Sequence, residues 1–232
     1  MAYEENMAGW QKALKDANLP HQEVKEDRIK DLQRIVESGL PTYDYYFFSL
    51  DQFYLGEAKF IFAKYEQVVV RAVPQNSNLS RFTLIGKSEE EVKSILQERI
   101  LPDKRKDYKI VLNEYDPAEY CGVMISQPDQ LIIEMVKEPN LENLCHGHVT
   151  PWHGEFKSYP FERYRKMYYI NVEATDVREK MWLVVRSICA SNESDDCKES
   201  NIPDYQPRLG YFEFAISQRD GKLRFIDYKR DH

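Results

Sequence analysis

Apolar residues recur at spacings of three and four in three stretches of the chain, the pattern of one buried face of an α-helix. The stretches are 1–37, 88–100 and Asp176–Cys189. Ser88 is followed three residues later by Glu91, which is the spacing of a capping box and predicts where the second helix begins. We therefore expect helices in all three stretches.

Strand-like patterns occupy most of the remaining chain. The β-branched run within Gln67–Val73 predicts a strand buried on both faces, and Leu79–Ile85 is its candidate partner in a hairpin. The Asp220–Gly221 pair predicts a turn and a second hairpin near the end of the sequence. The other aromatic or β-branched runs are Tyr43–Leu50, Lys109–Asn113, Cys121–Ser126, Leu131–Val136, Tyr211–Ser217 and Leu223–Tyr228.

The order of these elements predicts an α+β fold. A doubly wound parallel sheet is disfavoured, because strands and helices do not alternate strictly along the chain. The texture of the sequence, meaning its mixture of helical and strand-like segments, changes near residue 103. Strand-like segments predominate after the charged connector Pro102–Asp107, which predicts two lobes. We expect a helical extension over residues 1–19, a smaller lobe over 20–103 and a larger lobe over 104–232.

Composition and charge narrow the functional classes. A hydrophobic fraction of 42% in 232 residues predicts a folded protein. The formal net charge of −7 argues against nucleic-acid binding, whose affinity comes from neutralising phosphates. No apolar run approaches the ~20 residues that a membrane helix needs, and residues 1–20 show no hydrophobic signal core. We therefore expect no binding to a membrane. Four cysteines without CxxC spacing indicate reduced thiols, which is typical of a cytoplasmic protein.

Two carboxylates in the final hairpin are the strongest candidates for chemistry. Glu213 alternates with phenylalanines, so its side chain is expected on the face opposite those rings. A turn at Asp220–Gly221 would bring Glu213 close to Asp227, and like charges on adjacent strands cost stability. A Mg²⁺ ion held together with nucleotide phosphates would offset that cost. The alternatives are carboxylates that face solvent, or neutralisation by Lys229.

An arginine and a group of histidines carry weaker signals. Arg71 follows three valines, and it would either clamp a phosphate or emerge at the strand end to meet solvent or a structural carboxylate. His146, His148 and His153, together with Cys145, could bind Zn²⁺, which would make a metal-dependent protein. Their spacing matches no closed zinc module, which favours loop histidines that bind phosphate or nothing.

Several familiar motifs are missing from the sequence. Ser191–Cys197 is acidic, but it lacks the glycine and the terminal glutamate of an EF-hand loop and is typical of a solvated loop. The sequence contains no GxxxxGK[ST] or GxGxxG phosphate loop and no GxSxG elbow. The nucleotide-binding and hydrolase folds that depend on those motifs are therefore excluded.

Five short motifs follow one another in an order found in a known family. The segments and the family patterns they resemble are 28–50 ("GK-x-x-NL…aGlpvP"), Val68–Arg71 with the following Ala-Val-Pro ("vvvRsS"), Ile110–Ser126 ("vvvQ.mv…sGVmft"), Glu142–Pro151 ("GE.lv.G.vtP"), and Phe212–Ala215 with Arg224–Lys229 ("DiEwa…lyilQaR"). Together they resemble the ATP-grasp domain of phosphoenolpyruvate synthase and pyruvate phosphate dikinase.

This resemblance implies roles for individual residues. Arg28 and Arg71 would contact the nucleotide phosphates, and Arg81 lies in the segment Pro74–Arg81 that would cover them. The other implied site residues are Asn113, Glu114 and Tyr115 beside the adenine, Glu142 in the active site, Glu213 and Asp227 at Mg²⁺, and Lys229 at the transferred group. Of these, Arg71, Glu142 and Lys229 would take part in catalysis.

The resemblance also implies an ATP-grasp-like fold with the nucleotide between two lobes. Its implied function is ATP·Mg²⁺-dependent phosphoryl transfer or ligation on an unidentified acceptor, with ATP and Mg²⁺ as cofactors. The sequence departs from the family pattern at Arg28, at Asp227 and in the polar segment Pro74–Arg81. The family's phosphohistidine domain and pyruvate-binding barrel do not match any segment, so the complete reaction is not expected of this chain alone. The departures favour the alternative of a non-catalytic module that binds nucleotide or a separate partner chain.

Overall fold

A computed structural model describes residues 28–75, 79–137, 144, 149–158, 165–189 and 208–229. The helices are α1 (Arg28–Ser38), α2 (Leu50–Tyr54), α3 (Lys59–Lys64), α4 (Glu89–Arg99) and α5 (Thr175–Cys189), with a 3₁₀ helix over Pro102–Asp107. The strands are β1 (Tyr46–Ser49), β2 (Val68–Pro74), β3 (Phe82–Ile85), β4 (Tyr108–Glu114), β5 (Ala118–Ser126), β6 (Gln130–Val136), β7 (Trp152–Ser158), β8 (Arg165–Ile170), β9 (Gly210–Ser217) and β10 (Leu223–Lys229). Mixed helices and antiparallel sheets confirm the α+β class.

The chain divides into two compact units, each built around its own antiparallel sheet. The four-stranded unit contains residues 27–36 and Tyr43–Asp116, and the six-stranded unit contains Glu37–Thr42 and the chain from Pro117 onward. The division follows Asp116, beyond the change of texture near residue 103. The physical reason is that β4 pairs with β1 and β2, which keeps this strand in the smaller sheet.

The four-stranded sheet has the order β1-β4-β2-β3. β2 is buried on both faces at its start, as its valines predict, and it pairs with β3 as the predicted hairpin partner. The predicted capping box is confirmed: the Ser88 hydroxyl accepts from the Glu91 amide at 3.3 Å, and the Ser88 amide donates to the Glu91 carboxylate at 2.9 Å. α4 therefore begins where the sequence predicts.

One aromatic run becomes strand and helix rather than one strand. The aromatic run Tyr43–Leu50 predicts a strand, but β1 covers only Tyr46–Ser49 and α2 begins at Leu50. Ser49 and Gln52 form a second capping box, with the Ser49 hydroxyl accepting from the Gln52 amide at 3.1 Å. This local cap overrides the strand preference of the aromatic residues.

The six-stranded sheet has the order β10-β9-β5-β6-β7-β8, with every neighbouring pair antiparallel. The predicted final hairpin is confirmed as β9 and β10. One face of the sheet packs against α5, where the Phe156 and Trp182 rings lie 5.7 Å apart at an edge-to-face angle. Because side chains alternate along each strand, the opposite face carries a different set of residues. None of the helices within the described ranges is long and apolar enough to cross a membrane.

Candidate functional site

A row of side chains crosses five strands of the six-stranded sheet, on the face opposite α5. The strand register aligns Asp227 with Glu213, Glu213 with Val123, Val123 with Glu134, and Glu134 with His153. Residues directly opposite each other in antiparallel strands point to the same face. The row therefore gathers three carboxylates and one imidazole, and we call these five residues the carboxylate row.

A β-bulge in β10 places Asp227 in this row. The register shifts between Phe225 and Asp227, so that Phe225 lies opposite Phe214 while Asp227 lies opposite Glu213. Without the extra residue, positions 225 and 227 would point to the same face. The turn position predicts that Glu213 and Asp227 come close together, which the structure confirms, and the bulge sets their exact pairing across β9 and β10.

The two carboxylates differ in burial. Asp227 is fully buried, and its Oδ1 accepts a hydrogen bond from the Tyr228 amide at 3.0 Å. Glu213 is half-buried, and its Oε1 accepts from the Tyr211 hydroxyl at 3.4 Å. Asp227 therefore does not face solvent, which removes one of the alternatives considered for the pair. Neutralisation by Lys229 is untested, since the side chain of this last residue of β10 lies outside the described residues.

The donor set of the pair fits Mg²⁺ bound together with a phosphate ligand. Mg²⁺ is commonly held by one or two carboxylates, with substrate phosphates and waters completing its shell. Among the residues that the structure describes, no three His, Cys, Asp or Glu side chains form a group that could hold a metal ion. A cation on Glu213 and Asp227 would therefore depend on oxygen atoms from a ligand.

At the other end of the row, His153 lies between two carboxylates. Its Nδ1 is 3.6 Å from the Glu134 carboxylate, and its Nε2 is 3.4 Å from the Glu155 carboxylate. Lys157 forms an ion pair with Glu155 at 2.9 Å. Glu134 is 2% exposed, and a carboxyl group buried to this degree requires a close polar partner such as His153.

These contacts shift two pKa values in opposite directions. The neighbouring Glu134 carboxylate raises the pKa of His153 above its usual value; burial opposes this shift and Glu155 adds to it. The Lys157 ammonium lowers the pKa of Glu155, with a smaller contribution from His153 in the same direction. These shifts favour the protonated form of His153 and the ionised form of Glu155.

The raised pKa of His153 predicts a specific pH dependence of stability. Its stabilising contribution is fully present below the unfolded pKa of about 6.5 and is lost as the pH rises through the higher folded pKa. We therefore expect wild type to exceed His153→Gln in free energy of unfolding by more near pH 5.5 than near pH 9. Urea unfolding of both proteins at the two pH values measures this difference. A difference that is the same at both pH values would contradict the assigned contacts.

In the four-stranded unit the structure brings together Arg71 and Asn113. An Nη1 group of Arg71 donates to the Asn113 Oδ1, and the Asn113 amide donates in turn to the Glu114 carbonyl at 2.6 Å. Arg71 is half-buried and Asn113 is 2% exposed. The Tyr115 amide donates to the Gln67 carbonyl at 2.9 Å, which fixes the chain just beyond β4. Arg71 is therefore held by a side chain of the neighbouring strand rather than directed freely to solvent.

The remaining predicted residues are spread more widely. Arg28 begins α1 and Lys229 ends β10, but their side chains lie outside the described residues. Arg81 is exposed immediately before β3. Several predicted residues lie outside the described residues, namely Glu142, Cys145, His146, His148 and the segment Ser191–Cys197. Of the proposed zinc ligands, only His153 lies within the described residues. The metal and nucleotide roles of all these residues stay predictions.

Sequence reasoning missed Glu134 and the pairing of His153 with it. A signal was available, because Glu134 is the single charge in the apolar strand Gln-Leu-Ile-Ile-Glu-Met-Val of β6. A charge in the middle of such a strand must be paired or must serve a function. Without strands β7 and β8, which the sequence analysis did not predict, His153 had no reason to lie beside it.

No family model matches the sequence, and no curated protein matches it. Solved structures similar to the chain include the D-alanine-D-alanine ligase of Coxiella burnetii, at 11% identity and a TM-score of 0.47, covering 95% of this chain and 54% of that chain. The D-alanyl-alanine synthetase A of Vibrio cholerae O1 biovar eltor is similar at 13% identity and a TM-score of 0.47, covering 95% and 61%. The ATP-grasp ligase PsnB, complexed with a minimal precursor, is similar at 11% identity and a TM-score of 0.41, covering 96% and 60%.

The chain spans less than two thirds of the length of these solved structures. At these identities and TM-scores the likeness carries no residue, ligand or activity over to the chain. The resemblance to phosphoenolpyruvate synthase and pyruvate phosphate dikinase stays a prediction from the sequence motifs. The function is therefore argued from the residues of the chain itself.

Proposed function

We propose that this chain is an ATP-grasp-like protein that binds ATP·Mg²⁺ and uses it for phosphoryl transfer to, or ligation of, an acceptor. The observation that carries the proposal is the pair Glu213 and Asp227, aligned across β9 and β10 and separated from solvent to different degrees. Facing carboxylates on neighbouring strands are unfavourable by themselves. A cation that also binds phosphate oxygens turns this repulsion into a ligand set.

The two carboxylates suit complementary tasks in such a site. Buried Asp227 is held by the Tyr228 amide and keeps a fixed orientation, while half-buried Glu213 is reachable by a ligand. Mg²⁺ bound there would neutralise charge on the β- and γ-phosphates and orient them for transfer. The bulge that directs Asp227 to this face supports the pair as a built feature, because a regular strand would bury Asp227 among the phenylalanines.

Basic and polar residues complete the proposal. Arg71, held by Asn113, would clamp phosphate oxygens, and Arg28 and Arg81 would contribute further phosphate contacts. Asn113, Glu114 and Tyr115 would border the adenine. Glu142 and Lys229 would act at the transferred group, where charge stabilisation dominates the catalysis of phosphoryl transfer. These assignments are supported by the motif order in the sequence.

Metal-dependent nucleotide binding tests the proposal. Calorimetric titration with ATP is expected to show binding in Mg²⁺ that weakens at least about tenfold when the metal is chelated. Glu213→Gln is expected to weaken ATP·Mg²⁺ binding to a similar degree, because it removes one ionised ligand while keeping the size of the side chain. The matched control is Asp129→Asn, which neutralises an exposed carboxylate in the turn between β5 and β6.

The outcomes separate the parts of the proposal. Equal affinity with and without Mg²⁺ would remove the carboxylate pair from the nucleotide site. Equal losses in Glu213→Gln and Asp129→Asn would indicate a general effect of charge rather than a ligand. If the protein binds ATP but releases no ADP or AMP with any acceptor tested, the protein is a non-catalytic nucleotide-binding module.

A further inference from the structure

The six-stranded sheet has two outer strands, and the chain covers them differently. At β10, the Phe225 amide donates to the Pro41 carbonyl at 2.8 Å, and the Thr42 hydroxyl donates to the Phe225 carbonyl at 2.7 Å. At the opposite edge β8 pairs with β7, and no other strand of the described residues pairs with its outer side. An uncovered outer strand presents N–H and C=O groups that can pair with another chain.

β8 has little of the protection that outer strands usually carry. Proteins commonly keep such strands short or place charged residues or proline on them. The outer strands of the other sheet, β1 and β3, contain four residues each, whereas β8 contains six. In β8 the charged residues Arg165 and Lys166 occupy the first two positions, and the remaining residues Met167–Ile170 are uncharged. Most of this edge is therefore open to pairing.

Two large apolar residues of β8 are exposed on the face of the carboxylate row. Tyr168 lies opposite Glu155 of β7 and is 39% exposed. Ile170 lies opposite His153 and is 46% exposed. Within the described part of the six-stranded unit, Leu209 is the one other exposed large hydrophobic residue. Apolar surface is thus concentrated at β8, and burying it on association would be favourable.

The edge is held in a fixed conformation from behind. Met167 is 9% exposed, and its Cε lies close to Gly154 of β7. Beyond the strand, the Arg178 guanidinium of α5 donates to the Val172 carbonyl from Nε at 3.2 Å and from Nη2 at 2.8 Å. The Cζ of Arg178 also lies 5.0 Å from the centre of the Tyr169 ring. A strand that is already ordered loses little conformational entropy when it pairs.

We propose that β8 pairs antiparallel with β8 of a second copy of this chain, which joins two six-stranded sheets into one continuous sheet. The two copies are related by a two-fold axis perpendicular to the sheet, so each contributes the same surface. Such an axis keeps each face of the sheet on the same side, so both carboxylate rows lie on one face of the joined sheet. The inference concerns assembly and does not depend on the proposed ATP-dependent function.

The charge pattern of β8 fits a second copy in the antiparallel direction. The strand begins with the cations Arg165 and Lys166, and the exposed Glu173 follows shortly after its end. With the axis at Tyr168, Lys166 lies opposite the uncharged Ile170 of the second copy. The cationic start of each strand then approaches the end that Glu173 follows. Parallel pairing would instead place the cations of the two copies side by side, and like charges on adjacent strands are destabilising.

The size of the contact indicates a reversible dimer. Alternate residues of an antiparallel strand direct both main-chain groups outward, so two six-residue strands form about six hydrogen bonds. The two Tyr168 rings lie opposite each other at the axis, and aromatic pairs across strands are stabilising. One strand pair nevertheless buries less surface than a standard interface. We therefore expect dissociation in the micromolar range.

Sedimentation velocity of the complete chain tests for this dimer. Wild type is expected to change from one chain to two as its concentration rises through the micromolar range. Amide exchange over Met167–Ile170 should slow across the same range, because the outward N–H groups of β8 become hydrogen-bonded. Exchange in β10 should stay unchanged, because that edge takes no part in the contact.

Two opposite charge substitutions at the axis provide a sharper test. Tyr168→Lys and Tyr168→Glu each place two like charges opposite one another, so each is expected to weaken dimerisation at least about tenfold. An equimolar mixture of the two variants should form dimers again, because opposite charges then face each other across the axis. The matched control is Leu101→Lys, which introduces the same charge at an exposed apolar residue of the four-stranded unit and should dimerise like wild type.

Four results would overturn the inference. They are a wild type that stays monomeric at every concentration, a dimer that keeps its affinity in both Tyr168 variants, a mixture of folded variants that stays monomeric, and an equal loss of dimer in Leu101→Lys. Circular dichroism of each variant alone establishes that it is folded. Recovery of dimers in the mixture would assign the contact to the β8 edge, since misfolded chains could not restore each other.

Discussion

Replacing Gly122 with alanine is expected to lower the free energy of unfolding by about 3 kcal/mol, the upper end of the usual range for an overpacked interior. Gly122 lies in the middle of β5, between β6 and β9. A Cβ atom there would overlap the carbonyl oxygen of Glu134 and the ring of Phe214. The carbonyl belongs to the backbone of the paired strand, so it cannot move without breaking the ladder between β5 and β6.

Gly154 provides the matched control for this prediction. A Cβ atom at Gly154 would lie 2.6 Å from the Met167 Cε and 2.9 Å from the Met181 Sδ, which are the ends of flexible side chains. Methionine side chains can change rotamer at modest cost. We therefore expect Gly154→Ala to lose clearly less stability than Gly122→Ala in urea unfolding. The reverse order would show that the backbone contact at Gly122 does not limit packing of the sheet.

The fold could be predicted where short-range chemistry decides it. The Asp220–Gly221 turn placed Glu213 close to Asp227, because a turn fixes the register of the strands next to it. The Ser88 capping box located the start of α4, because its two residues are only three positions apart in the sequence. The bulge at residue 226 could not be foreseen, although it determines which face Asp227 occupies. Local signals were therefore reliable at the turn of the final hairpin and at the start of α4, but not at the bulge.

The rest of the site depends on long-range pairing that no local pattern encodes. Glu134 meets His153 only because β6 and β7 pair in one register. In β7 the residues His153, Glu155 and Lys157 alternate with Trp152, Gly154 and Phe156. Its sequence Trp-His-Gly-Glu-Phe-Lys-Ser contains only two large apolar residues, which makes the signal for a strand weak. Gly154 is explained only by the approach of Met167 from β8 and Met181 from α5. The division after Asp116 likewise follows from the pairing of β4 with β2, rather than from the change of texture near residue 103.

Arg71→Ala is expected to weaken ATP binding by about 1–3 kcal/mol, the scale of a charge-assisted hydrogen bond to phosphate. Arg71 is half-buried on β2 and donates to the Asn113 Oδ1 of β4, so part of its guanidinium is already committed to the protein. An arginine presents five N–H donors in a planar fork, and this geometry suits binding to two oxygens of a phosphate. We therefore expect Arg71→Lys, which keeps the charge without the planar fork, to recover only part of the affinity.

The competing interpretation gives Arg71 a structural role through Asn113. In that case Arg71→Ala would leave the Oδ1 of Asn113, which is 2% exposed, without the donor from Arg71, and it would lower the melting temperature at unchanged ATP affinity. Calorimetry and thermal unfolding on the same samples distinguish the two roles, with the exposed-site variant Lys87→Ala as control. In a double-mutant cycle with Asn113→Ala, a coupling that appears in ATP affinity and not in melting temperature would assign the Arg71–Asn113 contact to ligand binding. Coupling in melting temperature alone would assign it to the sheet, because a bond that only joins β2 to β4 has no reason to respond to nucleotide.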